Sequence, residues 1–219
     1  MLTTLERPTN LRRIGLNQYP LVLGASPLGL VAAGYAVLHD CSFPLVQRDG
    51  SPMESYADQM RMSAAACVDA LASNGVVDTS RIAAYGQSLG GFLVVTLAAR
   101  PSPFKAVIAR SGAYNRPMTP FGFVFEPRRY WEAVDTYVRV SPLTYIHAID
   151  TPLLLIHGEW DDNETTTALQ SKQLFDALCL VGTPTRYVEL PCEGHLTGSV
   201  ECARQAVAEM QAWCDRWMR

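Results

Sequence analysis

The sequence carries no surplus of positive charge: 18 Lys and Arg stand against 21 Asp and Glu, for a net charge of −3. Nothing in that balance attracts a phosphate backbone or an anionic bilayer, so nucleic acid is excluded as the main partner. The six cysteines, at 41, 67, 179, 192, 202 and 214, form no CxxC pair and hence no zinc or redox signature. They read as scattered reduced thiols of a cytoplasmic protein. The four histidines form no H-x-x-x-H or H-x-x-E-H pattern, so no metal and no cofactor is expected. Repeats, low-complexity segments and linkers are also missing, which makes residues 1–219 one domain with an irregular segment at 1–25. The uncharged run Leu21–Leu38 follows Arg12 and Arg13, but Gly24, Pro27, Gly29 and Gly34 interrupt it. It fits buried structure better than a membrane span.

What is present is ordinary globular material, 48% apolar and 18% charged, long enough to bury a core without staples. Short apolar runs at Tyr35–Leu38, Ile82–Tyr85, Lys105–Ala109, Leu153–Ile156 and Arg186–Leu190 predict strands. Helices are expected between them. Tyr56, Met60, Ala64, Cys67, Val68 and Leu71 recur at three- and four-residue spacing and share one helix face. Asn74-Gly75 closes that helix. Further helices are predicted from about Gly90 to Arg100, Thr167 to Leu180 and Ser199 to Trp217. Alternating strands and helices predict an α/β fold: a mostly parallel sheet with helices on both faces and its site beyond the carboxyl ends of the strands. Residues 111–150 break the alternation and read as an aromatic-rich insertion near the site.

Gly86-Gln87-Ser88-Leu89-Gly90 matches G-x-S-x-G between a strand and a helix. Such an elbow needs glycines where the backbone turns sharply, and it projects the serine hydroxyl from the sheet edge. The start of the following helix offers amide N–H groups, Leu89 first, to a developing oxyanion. A serine nucleophile needs a base, and the base needs an orienting acid. In α/β-hydrolases these follow in the order Ser, acid, His. His195, beyond the strand ending at Leu190, is the candidate base. His39 precedes the serine, His147 lies in the irregular insertion, and His157 ends a strand as a packed residue. Asp161, beyond the strand ending at Gly158, is the favoured acid, with Asp162 the alternative.

Gly86–Gly91, Leu155-Ile-His-Gly-Glu-Trp-Asp-Asp162 and Glu193-Gly-His195 resemble the catalytic domain of prolyl oligopeptidase-type serine peptidases. Ala109-Arg-Ser-Gly-Ala-Tyr-Asn-Arg-Pro-Met-Thr-Pro-Phe-Gly-Phe123, Trp131-Glu132 and Ser141-Pro142 are similar to the glutamyl endopeptidase branch of that family. Over residues 26–219, the resemblance implies an α/β-hydrolase fold with Ser88 as nucleophile, Asp161 as acid and His195 as base. The family's β-propeller has no counterpart in this sequence, and the hydrolase sheet is reduced at its N-terminal edge.

The motif that normally supplies the second oxyanion donor is missing. Pro20–Leu23 is the candidate for a makeshift strand leading to such a donor at Ala25. Gln87, Phe121, Phe123 and Trp131 are candidates for the substrate pocket, alternatively packing on the sheet. Arg116 could face an acidic substrate group, as the likeness implies, but a solvated surface arginine is the simpler reading. The expected activity is a serine hydrolase acting on small carboxylic esters, which demand less of an incomplete oxyanion hole. The alternatives are a peptidase acting on short peptides and a catalytically weak binding module. An exposed sheet edge predicts a homodimer.

Overall fold

The computed structural model describes residues 2–4, 26–41, 43, 55–75 and 77–218. Six parallel strands form one sheet: β1 (Leu2–Thr4), β2 (Leu38–Cys41), β3 (Ile82–Gln87), β4 (Phe104–Arg110), β5 (Leu153–Gly158) and β6 (Thr185–Leu190). Their spatial order is β2-β1-β3-β4-β5-β6. The four strands from β3 to β6 are consecutive in sequence and in space, as right-handed crossovers through helices allow.

Alternation along the central strands sorts side chains into two cores. Ile82, Ala84, Val107, Ala109, Leu153 and Leu155 face one side, where Met60, Phe92, Leu174 and Leu178 meet them. These come from α1 (Tyr56–Asn74), α2 (Leu89–Ala98) and α4 (Ala168–Val181). Ala83, Tyr85, Ala106, Ile108, Leu154 and Ile156 face the other side, against α5 (Val200–Trp217) and a 3-10 turn at Pro27–Ala33. α5 buries Cys202, Ala206, Met210, Trp213 and Cys214, a stripe at helical spacing. α2 is buried from Gly90 to Ala98 with no polar face, because the sheet lies beneath it and α1 packs against it.

The strands expected at the centre of the sheet are present and run one or two residues longer than their apolar runs. The N-terminal side differs. The strand expected at Tyr35–Leu38 begins only at Leu38, since Gly34 adopts a left-handed φ of 88° to end the 3-10 turn. The Tyr35 hydroxyl instead donates to Asp215 on α5, at 2.6 Å. The strand between β2 and β3 is Leu2–Thr4, in a segment expected to be irregular. The proposed strand Pro20–Leu23 and the proposed donor Ala25 lie outside the described residues.

All six cysteines are free thiols. Among the described residues no helix is long and apolar enough to cross a membrane, and no cluster of His, Cys, Asp and Glu could hold a metal ion. The segment between β4 and β5 holds 3-10 turns and one short helix, α3 (Val134–Val140). It folds over the carboxyl edge of the sheet. Its anchor is Tyr137, fully buried, with Phe123 and Tyr130 edge-on against it at 5.1 and 5.5 Å.

Candidate active site

Ser88 stands between β3 and α2 with φ 57° and ψ −120°, a conformation that costs a non-glycine residue about 1–3 kcal/mol. Its flanking glycines make the turn feasible. A Cβ on Gly86 would collide with the Gly90 carbonyl, and one on Gly91 with the Arg110 carbonyl. The Ser88 N–H donates to that Arg110 carbonyl at 2.9 Å, so the elbow is pinned to β4. The first amides of α2, starting with Leu89, have no carbonyl one turn earlier in the helix to bond.

Asp161 and His195 reach the serine from the ends of β5 and β6. His195 Nε2 lies 2.9 Å from Ser88 Oγ, and its Nδ1 lies 2.9 Å from Asp161 Oδ2. With the carboxylate on Nδ1, the proton belongs there, and Nε2 is free to accept from the serine. Asp161 is buried, whereas Asp162, the alternative acid, is exposed. Burial pushes the Asp161 carboxyl up. Hydrogen bonds from His157, His195 and the Asn163 N–H outweigh it and hold the group well below the usual carboxylate range. Thr166 adds a hydroxyl 3.0 Å from His195 Nδ1 and 3.3 Å from Asp161 Oδ2.

Further hydrogen bonds set the loop that carries His195. Glu193 turns its carboxylate back to accept from the Gly198 and Ser199 N–H groups and the Ser199 hydroxyl. Gln87 Nε2 donates to the His195 carbonyl at 3.1 Å, and Arg110 donates to Gln87 Oε1 and, at 2.6 Å, to Thr197 Oγ1. The loop is also joined to the acid's loop, where Trp160 N–H donates to the Glu193 carbonyl at 2.8 Å. Gln87 therefore braces the His195 loop and is not among the residues that line the cavity beside Ser88. Sequence reasoning missed Thr166 and Arg110. The available signal was an arginine closing the apolar run Ala106–Ala109 of β4.

A small cavity of about 60 Å³ opens beside Ser88, lined by Leu89, Ala113, Arg116, Phe123, Thr165 and Thr166 among others. Of the aromatic residues proposed for the pocket, only Phe123 reaches it. Phe121 and Trp131 are 76% and 57% exposed and stack edge-to-face on each other at 6.1 Å. Arg116 overturns the expectation of a solvated surface residue. It is 4% exposed, its guanidinium sandwiched between the rings of Phe92 at 4.2 Å and Phe123 at 4.4 Å. Its Nε has no hydrogen-bond partner, and no carboxylate among the described residues pairs with it. Burial pulls its pKa down to about 10, which still leaves it cationic at neutral pH. Among the described residues this buried cation has no counter-ion, and it lines the same cavity as Ser88.

The profile of the prolyl oligopeptidase family matches residues 54–219. A probable chloroplastic glutamyl endopeptidase of Oryza sativa subsp. japonica is 39% identical over 205 residues, which span 93% of this chain and 21% of that protein. Dipeptidyl-peptidase 5 of Porphyromonas gingivalis is 32% identical over 177 residues, 75% of this chain and 25% of its own length. The chain thus spans about a fifth to a quarter of these relatives. The acylaminoacyl peptidase structure of Pyrococcus horikoshii superposes with a TM-score of 0.65 at 20% identity, over 75% of this chain and 30% of that one. The parallel sheet and its flanking helices are those of an α/β-hydrolase fold, and the chain belongs to the prolyl oligopeptidase family of serine peptidases.

Proposed function

We propose that this chain carries the catalytic machinery of a serine peptidase that cleaves peptide bonds on the carboxyl side of an acidic residue. The observation that carries the chemistry is the unbroken hydrogen-bonded line from Ser88 through His195 to Asp161 at a strained elbow. Ser88 Oγ attacks the scissile carbonyl carbon while His195 Nε2 takes its proton. The carbonyl oxygen becomes an oxyanion facing the Leu89 N–H. Collapse of this intermediate breaks the C–N bond, and His195 passes its proton to the leaving amine. Water then attacks the acyl-serine, giving a proton to His195, and the acid leaves as Ser88 recovers its hydrogen. Throughout, Asp161 stays ionised, holds the imidazole and balances its transient positive charge.

The acidic preference rests on Arg116. A carboxylate entering the cavity beside Ser88 gives the buried guanidinium a counter-ion that none of the described residues supplies, and the Phe92 and Phe123 rings hold that guanidinium flat. The cavity suits one side chain, against the roughly 300–1,000 Å³ of drug-sized ligand sites. The names of the glutamyl endopeptidase relatives point the same way, and they favour a peptidase over the carboxylic-ester preference expected from an incomplete oxyanion hole.

The test is hydrolysis of matched peptidyl anilides and esters carrying Glu or Gln before the scissile bond. Expected are anilide cleavage abolished in Ser88→Ala and a Glu-over-Gln preference of about 10-fold or more, the size of one charge-assisted hydrogen bond, which collapses in Arg116→Met. Equal cleavage of Glu and Gln substrates by the wild-type chain overturns the acidic preference. Esters cleaved at a useful rate beside inert anilides overturn the peptidase reading in favour of an esterase.

A further inference from the structure

His157 is the second imidazole on Asp161. It ends the apolar run of β5, its side chain has no solvent exposure, and its Nε2 lies 2.9 Å from Asp161 Oδ2. This is the same oxygen that receives His195 Nδ1 at 2.9 Å. The Thr166 carbonyl also faces Nε2, at 2.5 Å. Two acceptors on one nitrogen fix the tautomer, because an unprotonated Nε2 would set its lone pair against two oxygens. Nε2 therefore carries hydrogen and donates. Nδ1 accepts from the Ser171 hydroxyl, 2.7 Å away on α4.

We infer that His157 is a positioning residue that sets the basicity of His195 through the carboxylate they share. This rests on the reading of Ser88, His195 and Asp161 as nucleophile, base and acid. A carboxylate oxygen that accepts two imidazole N–H bonds is held in place more firmly than one that accepts a single bond. It also offers less negative charge to each donor. His157 thus trims the pull of Asp161 on the His195 imidazolium while keeping the carboxylate aimed. The line runs from Ser171 through His157, Asp161 and His195 to Ser88, wholly buried until it reaches His195.

The ionisable groups around His157 come from every neighbouring element. Asp161 is on its own loop. Tyr114, fully buried, follows β4 and lies close to Ser171. Glu189 is its register partner on β6, with its carboxylate taken by the Tyr187 hydroxyl. Asp161 is the only one of these bonded to the His157 ring.

A packed core histidine and a positioning histidine respond differently to substitution. His157→Phe keeps a ring and loses the donor, whereas His157→Gln keeps an amide donor and loses the ring. Both are read by the rate of fluorophosphonate labelling of Ser88 across pH, alongside a thermal melt. Without the donor, Asp161 pulls harder on the imidazolium and His195 keeps its proton to higher pH. His157→Phe should label about 10- to 100-fold more slowly, as outer-shell losses do. Its acid limb should move up by roughly half to one pH unit, the worth of one hydrogen bond. His157→Gln should regain most of the rate and the wild-type limb. If the phenylalanine variant does not fold, His157→Asn, too short to reach Oδ2, should show the same upward limb shift. Wild-type rate and limb in the donor-less variant overturn the inference, as does an equal loss in the Phe and Gln variants with the limb unmoved. A wild-type chain that fails to label overturns the reading of Ser88, and this inference with it.

Discussion

The backbones of Gly158 and Gly194 are packed so closely that a Cβ on Gly158 would overlap the carbonyl oxygens of both Gly194 and Glu193. Gly158 begins the loop that carries Asp161, and Gly194 immediately precedes His195. Their contact, with the Trp160 N–H to Glu193 carbonyl bond beside it, sets the distance across which Asp161 and His195 meet.

Gly158→Ala should therefore fold yet lose activity. The methyl group would push the two loops apart, and a displacement of about 1 Å costs on the order of 100-fold in rate. Fluorophosphonate labelling and far-UV circular dichroism on the same sample check this. A labelling rate within threefold of wild type would show that the loops can yield without losing register.

Arg116 should act against stability. Two aromatic faces contribute roughly 0.5–2 kcal/mol each, while taking a charge out of water without a counter-ion costs several kcal/mol. Arg116→Met fills the space between Phe92 and Phe123 with a thioether that packs well on rings. It should raise stability by about 1 kcal/mol or more, or some 2–4 °C in melting temperature for a chain of this size. Any acidic preference would be lost with it, the common exchange between stability and function. A clear drop in melting temperature would mean that the stacked guanidinium is itself structural.

Glu193 makes the His195 loop sensitive to pH. Burial raises its carboxyl, but bonds from Ser199 and Gly198 outweigh that and hold it below its ordinary 4.5. A folded-state pKa lowered in this way contributes stability above the unfolded value, and the contribution is lost as pH falls through the folded value. Urea midpoints of wild type and Glu193→Gln should thus differ by a constant amount from pH 8 to 6. The gap should close below about pH 4.5, the ordinary carboxyl value. A gap that persists at pH 3 would assign the effect to side-chain shape alone.

The central sheet was legible because Ile82–Tyr85, Lys105–Ala109 and Leu153–Ile156 are apolar runs that need no distant information to be recognised. Ser88, Asp161 and His195 could be singled out because each follows such a run in the expected order. What escaped depends on partners far along the chain. β1 is three residues long and has no period to detect. Tyr35 leaves its expected strand for Asp215, 180 residues away. Arg116 looks like a surface residue until Phe92 from α2 and Phe123 close on it from both sides. His157 reads as core packing because its sequence neighbours are apolar, while its bonds run to Asp161 and Ser171.

Among the described residues β6 is the outermost strand on its side of the sheet, and His195 hangs from its end. Ser88 and Asp161 follow β3 and β5, whose pairing runs through β4, but on the proposed reading the base that faces the Ser88 hydroxyl arrives only with β6. A molecule that has shed this edge should therefore fail to label at Ser88. An active-site label counts finished molecules, so a refolding reaction followed by both label and circular dichroism would separate closure of the sheet edge from formation of its centre.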